Sequence, residues 1–148
     1  MSFVSKKPEQ VRELLASDEG WTFIDVRTVQ EFEQGHVPDS HNLPVVFRGS
    51  FGMSPNPAFV EVVERCFAKN SKLILGCAAG GRSARACELL AQQGYGDLIN
   101  MEGGFHGARS PYGELIVPGW QECGYDVATD AGAERTFAAL QKKAESLS

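Results

Sequence analysis

The stretch LILGCAAGGRSARACELL, residues 73–90, holds the most reactive combination of residue types in the chain. An apolar run ends in Cys77. Ala78, Ala79, Gly80 and Gly81 follow with little side-chain bulk, and then come Arg82, Ser83 and a helical pattern. Small residues let a backbone curl until several N–H groups point at one spot. The following helix adds its free N-terminal N–H groups and the positive end of its dipole. A thiol at the centre of such a ring is drawn toward its anionic, nucleophilic form. Arg82 closes the ring with a fixed cation suited to an oxyanion. The loop can therefore make a nucleophile and then hold an anionic sulfur attached to it. Taken alone, Cys77 reads first as a small buried hydrophobe at a strand end. The small residues, the glycines, Arg82 and Ser83 in this order favour chemistry.

The surrounding pattern predicts how that loop is presented. KLILG is a buried strand that delivers Cys77, and SARACELLAQQG is a helix closed by Gly94. WTFIDV is a second strand, ending at Asp25 or Val26. PEQVRELLASDEG, TVQEFEQG and AFVEVVERCFAKN have helical spacing, and DLINM is a further strand. HVPDSHNLP reads as loop with a brief strand, and FRGSFGMSPNP as loop. The tail DAGAERTFAALQKKAES is a final helix with Phe137 and Leu140 facing inward. Strands alternating with helices predict an α/β domain with a mainly parallel sheet. Ligands sit at the carboxyl ends of strands in such sheets. Asp25 and Cys77 both fall there and are expected to share one face.

Composition narrows the function classes. With 148 residues and 43% hydrophobic content, the expectation is one domain with a proper core. A net charge of -5 argues against a nucleic-acid partner held by bulk electrostatics. Local arginines and backbone dipoles can still attract a small anion. No apolar run is long enough to cross a bilayer, and the first residues carry no secretory pattern, so neither membrane nor export is expected. The four cysteines, at 66, 77, 87 and 123, include no Cys-x-x-Cys pair. They are read as thiols in a reducing compartment, with the cytoplasm as the expected location.

Three motifs in order resemble the rhodanese (sulfurtransferase) family, single-domain plant and bacterial type. CAAGGRS is similar to its Cys-x-x-Gly-x-Arg-Ser loop. IDVRTVQEFEQGHVPDSHNLP is similar to its N-terminal signature, and MEGGFHGA to its C-terminal Gly-Gly signature, with Phe105 where Trp or Tyr is usual. The match covers about residues 3 to 108. Residues from about 109 to 148, an extended loop and helix, exceed a minimal domain and are counted in a single domain of residues 1–148. The resemblance implies a three-layer α/β fold and a persulfide on Cys77. It implies transfer of sulfane sulfur from a donor such as thiosulfate to cyanide or a thiol, with no cofactor and no metal. A thiol protein is a further candidate partner, and the oligomeric state is left open.

Cys77 to Arg82 spans six positions, a Cys-x4-Arg ring. Protein phosphatases that use the same device carry Cys-x5-Arg, wide enough for a tetrahedral phosphate. The shorter ring suits one outer sulfur and sets aside a phosphatase or arsenate reductase reading. A non-catalytic partner-binding module is the alternative from another class, and an intact Cys77 with Arg82 speaks against it. Asp25, Arg27 and Glu31 are expected to form a buried network supporting the site. Arg48 and Met53 are expected on a loop at the rim over Cys77. His36 reads as a turn histidine, His106 and Arg109 as surface residues, Cys66 and Cys87 as core, and Trp21 and Trp120 as packing anchors.

Overall fold

The computed structural model describes residues 3–130 and 132–147. Five parallel strands form the central sheet: β1 (Val4–Lys6), β2 (Trp21–Asp25), β3 (His41–Asn42), β6 (Lys72–Gly76) and β7 (Asp97–Met101), in the spatial order β1-β7-β6-β2-β3. Between them lie α1 (Pro8–Ala16), α2 (Val29–Gln34), α3 (Phe59–Cys66) and α4 (Gly81–Gln92). The last helix, α5, runs Phe137–Ser146. Two antiparallel hairpins stand outside the sheet: β4 (Val46–Gly49) with β5 (Gly52–Pro55), and β8 (Ala108–Arg109) with β9 (Leu115–Val117).

The strands read as near-continuous apolar runs because both faces of the sheet are covered, as parallel sheets require. Leu73 and Leu75 of β6 face one core with residues of α3, α4 and α5, while Ile74 faces a second core with Val11 of α1, Phe105 and Trp120. The two-residue alternation of a strand divides side chains between these layers. Three layers result, as the family resemblance implies.

Several boundaries differ from the sequence expectation. The Gly-rich segment before α3 is not plain loop: Val46–Gly49 and Gly52–Pro55 pair into a hairpin whose tip carries fully exposed Phe51. Helix α1 stops at Ala16 rather than reaching Gly20. Helix α4 starts at Gly81, two residues earlier than its apolar spacing shows, because left-handed Gly80 serves as its N-cap. The final helix starts only at Phe137, where the Thr136 side chain accepts from the Ala139 N–H.

The segment after residue 108 is built into the domain. Helix α5 places Leu140 and Ala144 in the core shared with Ile24 and Leu75. Asn42 N–H donates to the Arg135 carbonyl at 2.9 Å, and His36 and Ala128 exchange backbone hydrogen bonds at 2.9 Å. Leu140→Ala should lower stability by about 2–4 kcal/mol through the lost transfer energy and the cavity left behind. Urea unfolding monitored by tryptophan fluorescence checks this. A loss within error would show that α5 is dispensable to the core.

Candidate active site around Cys77

Cys77 follows the last residue of β6 and is only 2% exposed. The loop carries it into the N-terminus of α4. Gly80 adopts φ +111°, a left-handed conformation that only glycine enters readily, and its N–H donates to Cys77 Sγ at 3.0 Å. The Ser83 hydroxyl lies 3.4 Å from the same sulfur. The sulfur therefore meets a backbone donor, a hydroxyl and the positive end of a twelve-residue helix.

A second turn clamps the loop from outside. After β7 the chain passes Gly103 and Gly104, and the Phe105 and His106 N–H groups donate to the carbonyls of Cys77 and Ala78, each at 2.8 Å. Gly104 sits at φ +58°, and a Cβ there would lie 2.7 Å from the Ala78 carbonyl carbon. Only glycine fits this approach.

The acidic and basic residues near the loop separate into two pairs rather than one network. Asp25 and Arg27 are 2% and 1% exposed. Arg27 Nη2 donates to Asp25 Oδ2 and to the Gly35 carbonyl, both at 2.7 Å, and its guanidinium lies over the Phe105 ring at 4.5 Å. Buried and bidentately joined, the pair orders the turn after β2. Glu31 turns away from it. Its carboxylate binds Arg82 bidentately at 2.8 and 3.0 Å and caps α2 through the Thr28 N–H and hydroxyl. The Arg82 fork is thus held by Glu31. Its charge still reaches the sulfur, while its donors tie α2 to α4.

Arg48 is exposed on β4 opposite Met53, and among the described residues no hydrogen bond or ion pair joins it to the cysteine loop. The hairpin contributes instead through Val46 and Pro55. With Phe59 and Val60 of α3 and Gly81 and Arg82 of α4, they line a cavity of about 550 Å3 beside the loop.

Of the other thiols, Cys87 lies in the core and Cys66 packs against it, whereas Cys123 is exposed. Burial, reinforced by Cys77, pushes the Cys87 thiol up to about 12. Burial also raises Cys66 and, to a lesser extent of enclosure, the exposed Cys123. His36 is fully buried, stacks on Phe32 and reaches the Phe32 and Asp130 carbonyls, as a structural turn histidine would. His106 and Arg109 are exposed. Trp120 is buried, whereas Trp21 is partly exposed at the edge of its core. Sequence reading missed Asn100, which meets Ser83 beneath the sulfur. Its one signal was a polar residue where the alternation of β7 calls for an apolar one.

The profile described as Rhodanese-like domain matches residues 7–110. The chain belongs to the rhodanese-like domain family. It is 38% identical over 108 residues to thiosulfate sulfurtransferase 16, chloroplastic, of Arabidopsis thaliana, a match covering 71% of this chain and 90% of that protein. It is 34% identical over 96 residues to a sulfurtransferase of Allochromatium vinosum, covering 65% of this chain and 78% of that one. A third relative, Protein HIGH ARSENIC CONTENT 1, mitochondrial, of Arabidopsis thaliana, is 41% identical over 86 residues, a match covering 58% of this chain and 51% of that protein, so this chain spans about half of that relative's length. A crystal structure of a protein from M. tuberculosis superposes with a TM-score of 0.71 at 24% identity, covering 87% of this chain and all of that one, and it shows the same fold.

The Glu31–Arg82 latch has a pH signature. Burial alone would raise the Glu31 carboxyl, but hydrogen bonds from Arg82 and the Thr28 N–H, with the Arg82 charge, outweigh it and hold the group at about 2 against an ordinary 4.5. A carboxyl lowered on folding stabilises the protein above its unfolded value, and the gain is lost as pH falls through the folded value. Glu31→Gln should therefore be less stable than the parent at neutral pH. The gap should close as pH falls from about 4.5 to about 2. Urea unfolding at stepped pH checks this, and a gap independent of pH would show that the carboxylate charge is immaterial.

Proposed function

We infer that this rhodanese-like domain is a sulfurtransferase that carries sulfane sulfur on Cys77 as a persulfide. The observation that carries the reading is the placement of the Cys77 sulfur, buried at the carboxyl end of β6 with the Gly80 N–H donating to it at 3.0 Å. The Cys77 thiolate attacks the outer sulfur of thiosulfate. The sulfur–sulfur bond of the donor breaks, and sulfite leaves with the electron pair. The anionic outer sulfur stays on Cys77, facing the helix N-terminus. A thiophile, cyanide or a small or protein-borne thiol, then attacks that outer sulfur. The persulfide bond breaks and its electrons return to Cys77. This is covalent catalysis in two exchange steps. The names of two relatives, one a thiosulfate sulfurtransferase and one a sulfurtransferase, support the chemistry. The four unpaired cysteines support a reducing compartment such as the cytoplasm.

The six-position ring supports sulfur over phosphate as its occupant, since it is one residue shorter than the Cys-x5-Arg ring that takes a tetrahedral phosphate. The cavity walled by Val46, Phe59 and Arg82 lies where an acceptor could approach. Cys77→Ser should abolish sulfur transfer from thiosulfate to cyanide while leaving the fold intact, because a serine hydroxyl stays protonated and holds no sulfur. Cys66→Ser, Cys87→Ser and Cys123→Ser should each remain active. Intact-protein mass spectrometry after thiosulfate exposure should find one extra sulfur on Cys77. Retained activity in Cys77→Ser would end the persulfide reading.

A further inference from the structure

The cavity beside the cysteine loop has a chemistry that sulfur exchange alone does not require. Its volume of about 550 Å3 falls in the range of small-molecule sites. Its most buried walls are Val45 and Phe59, and the partly buried Val60 and Leu89 stand nearer solvent. Asn56 is the one neutral polar side chain in the lining, and both ends of its amide are engaged. Its Nδ2 donates to the Pro44 carbonyl at 2.8 Å, and its Oδ1 accepts from the Ala58 N–H at 3.0 Å. The charges in the wall are Arg82 and Arg85, and among the described residues no carboxylate lines it. The space therefore rewards burial of apolar groups and gives a cation no acidic partner.

Helix α4 connects this space to the sulfur. The Gly80 N–H donates to Cys77 Sγ at 3.0 Å, and Gly81, the next residue, lines the cavity. Successive Cα atoms lie about 3.8 Å apart, so the wall begins roughly 7 Å from Sγ. The outer sulfur of a persulfide extends about 2 Å beyond Sγ. Gly81, Arg82, Arg85 and Leu89 follow three- and four-residue spacing and share one face of α4. From Gly81 to Leu89 the helix rises about 12 Å. A chain of roughly six to eight carbons, with bonds of about 1.5 Å, spans that length. Cyanide fills little of it.

We propose that this cavity selects the acceptor: a small thiol with an apolar body and no positive charge, held by Val60 and Leu89 while its sulfur meets the Cys77 persulfide. The proposal rests on the sulfurtransferase reading, and it names the acceptor class for that site. The acceptor reacts as its thiolate. A new sulfur–sulfur bond forms to the outer sulfur, the bond to Cys77 breaks, and Cys77 keeps the electron pair. The acceptor leaves as a persulfide. Arg82 and Arg85 favour the approaching thiolate over an amine-bearing thiol. The Arg82 fork is held by Glu31, and exposed Arg85 meets Glu88 only at 3.7 Å, so burial outweighs charge in the selection. A protein-borne cysteine is the competing occupant, and it predicts no dependence on the chain length of free thiols.

Two measurements on the native protein test this. In the first, the protein is loaded with thiosulfate, the excess is removed, and loss of the extra sulfur is timed by intact-protein mass spectrometry. The acceptors are mercaptoethanol, mercaptobutanol and mercaptohexanol. Each rate is divided by that thiol's rate with cystine, which cancels its intrinsic reactivity. The quotient should rise roughly fourfold per methylene that enters the cavity, and aminohexanethiol should fall below mercaptohexanol. In the second, ethanol, butanol and hexanol, which carry no thiol, are titrated into the protein. Hexanol should bind most tightly and move the NMR methyl resonances of Val60 and Leu89. Leu89→Gln and Val60→Gln should each lower the ratio of mercaptohexanol to cyanide turnover by about tenfold. A quotient independent of chain length, or a slope unchanged in both variants, would overturn the proposal. If neither variant folds, the native series and the methyl shifts decide. Hexanol seated against Val60 and Leu89 in a protein that never takes sulfur from thiosulfate would sustain the apolar site and overturn the sulfurtransferase reading. A flat series in a protein that does take sulfur would overturn the proposal and leave that reading standing.

Discussion

Everything at the sulfur depends on the backbone lock between the cysteine loop and the glycine turn after β7. Two N–H groups, of Phe105 and His106, hold the carbonyls of Cys77 and Ala78 at 2.8 Å. With those carbonyls turned outward, the N–H of Gly80 is free to turn inward to Sγ. A backbone cannot present several donors to one centre unless its acceptors are satisfied elsewhere. The turn supplies that satisfaction, and Gly104, at positive φ with no room for a Cβ, is the condition for the two segments to approach. Phe105 then links the lock to the rest of the site, since its ring lies under the Arg27 guanidinium.

The two ion pairs divide the remaining work. Asp25 and Arg27 are enclosed and hold the chain where it leaves β2. Charges so deeply buried need partners beyond each other, and here the Arg27 backbone N–H donates to Asp25 and the Gly35 carbonyl accepts from Arg27. Glu31 and Arg82 are partly exposed and join elements far apart in the chain. One carboxylate serves both as half of the α2 capping box and as the seat of the loop arginine. The geometry of the α2 N-terminus is thereby communicated to the start of α4, where the sulfur sits.

The segment beyond residue 108 is a structural part of the domain. Helix α5 lies against α3 and completes the core behind the sheet. The β4–β5 hairpin, which Phe47 joins to Phe137 of α5 through a ring contact at 5.9 Å, forms a wall of the cavity beside the cysteine loop. An element far from Cys77 in sequence thus supports a wall of the cavity beside the cysteine loop.

The sequence by itself determined the alternation of strands and helices, the parallel sheet, the position of Cys77 at a strand end and the small-residue loop that follows it. These are local properties: apolar periodicity selects helix or strand, and glycine permits a backbone that other residues resist. Tertiary structure decided which partners those residues meet. Glu31 lies six residues from Asp25 and four from Arg27, yet its arginine is 51 residues away, because the fold brings the α2 N-terminus to the α4 N-terminus. Asn100 is an isolated polar residue in DLINM until β7 pairs with β1 and β6 and sets it under Ser83, 17 residues before it in the chain. The Gly-rich hairpin and the late start of α5 were likewise hidden, since short segments take their form from what they pack against. Spacing along a chain states which residues can be neighbours within one element. Only the packing of elements states which ones face each other across a site.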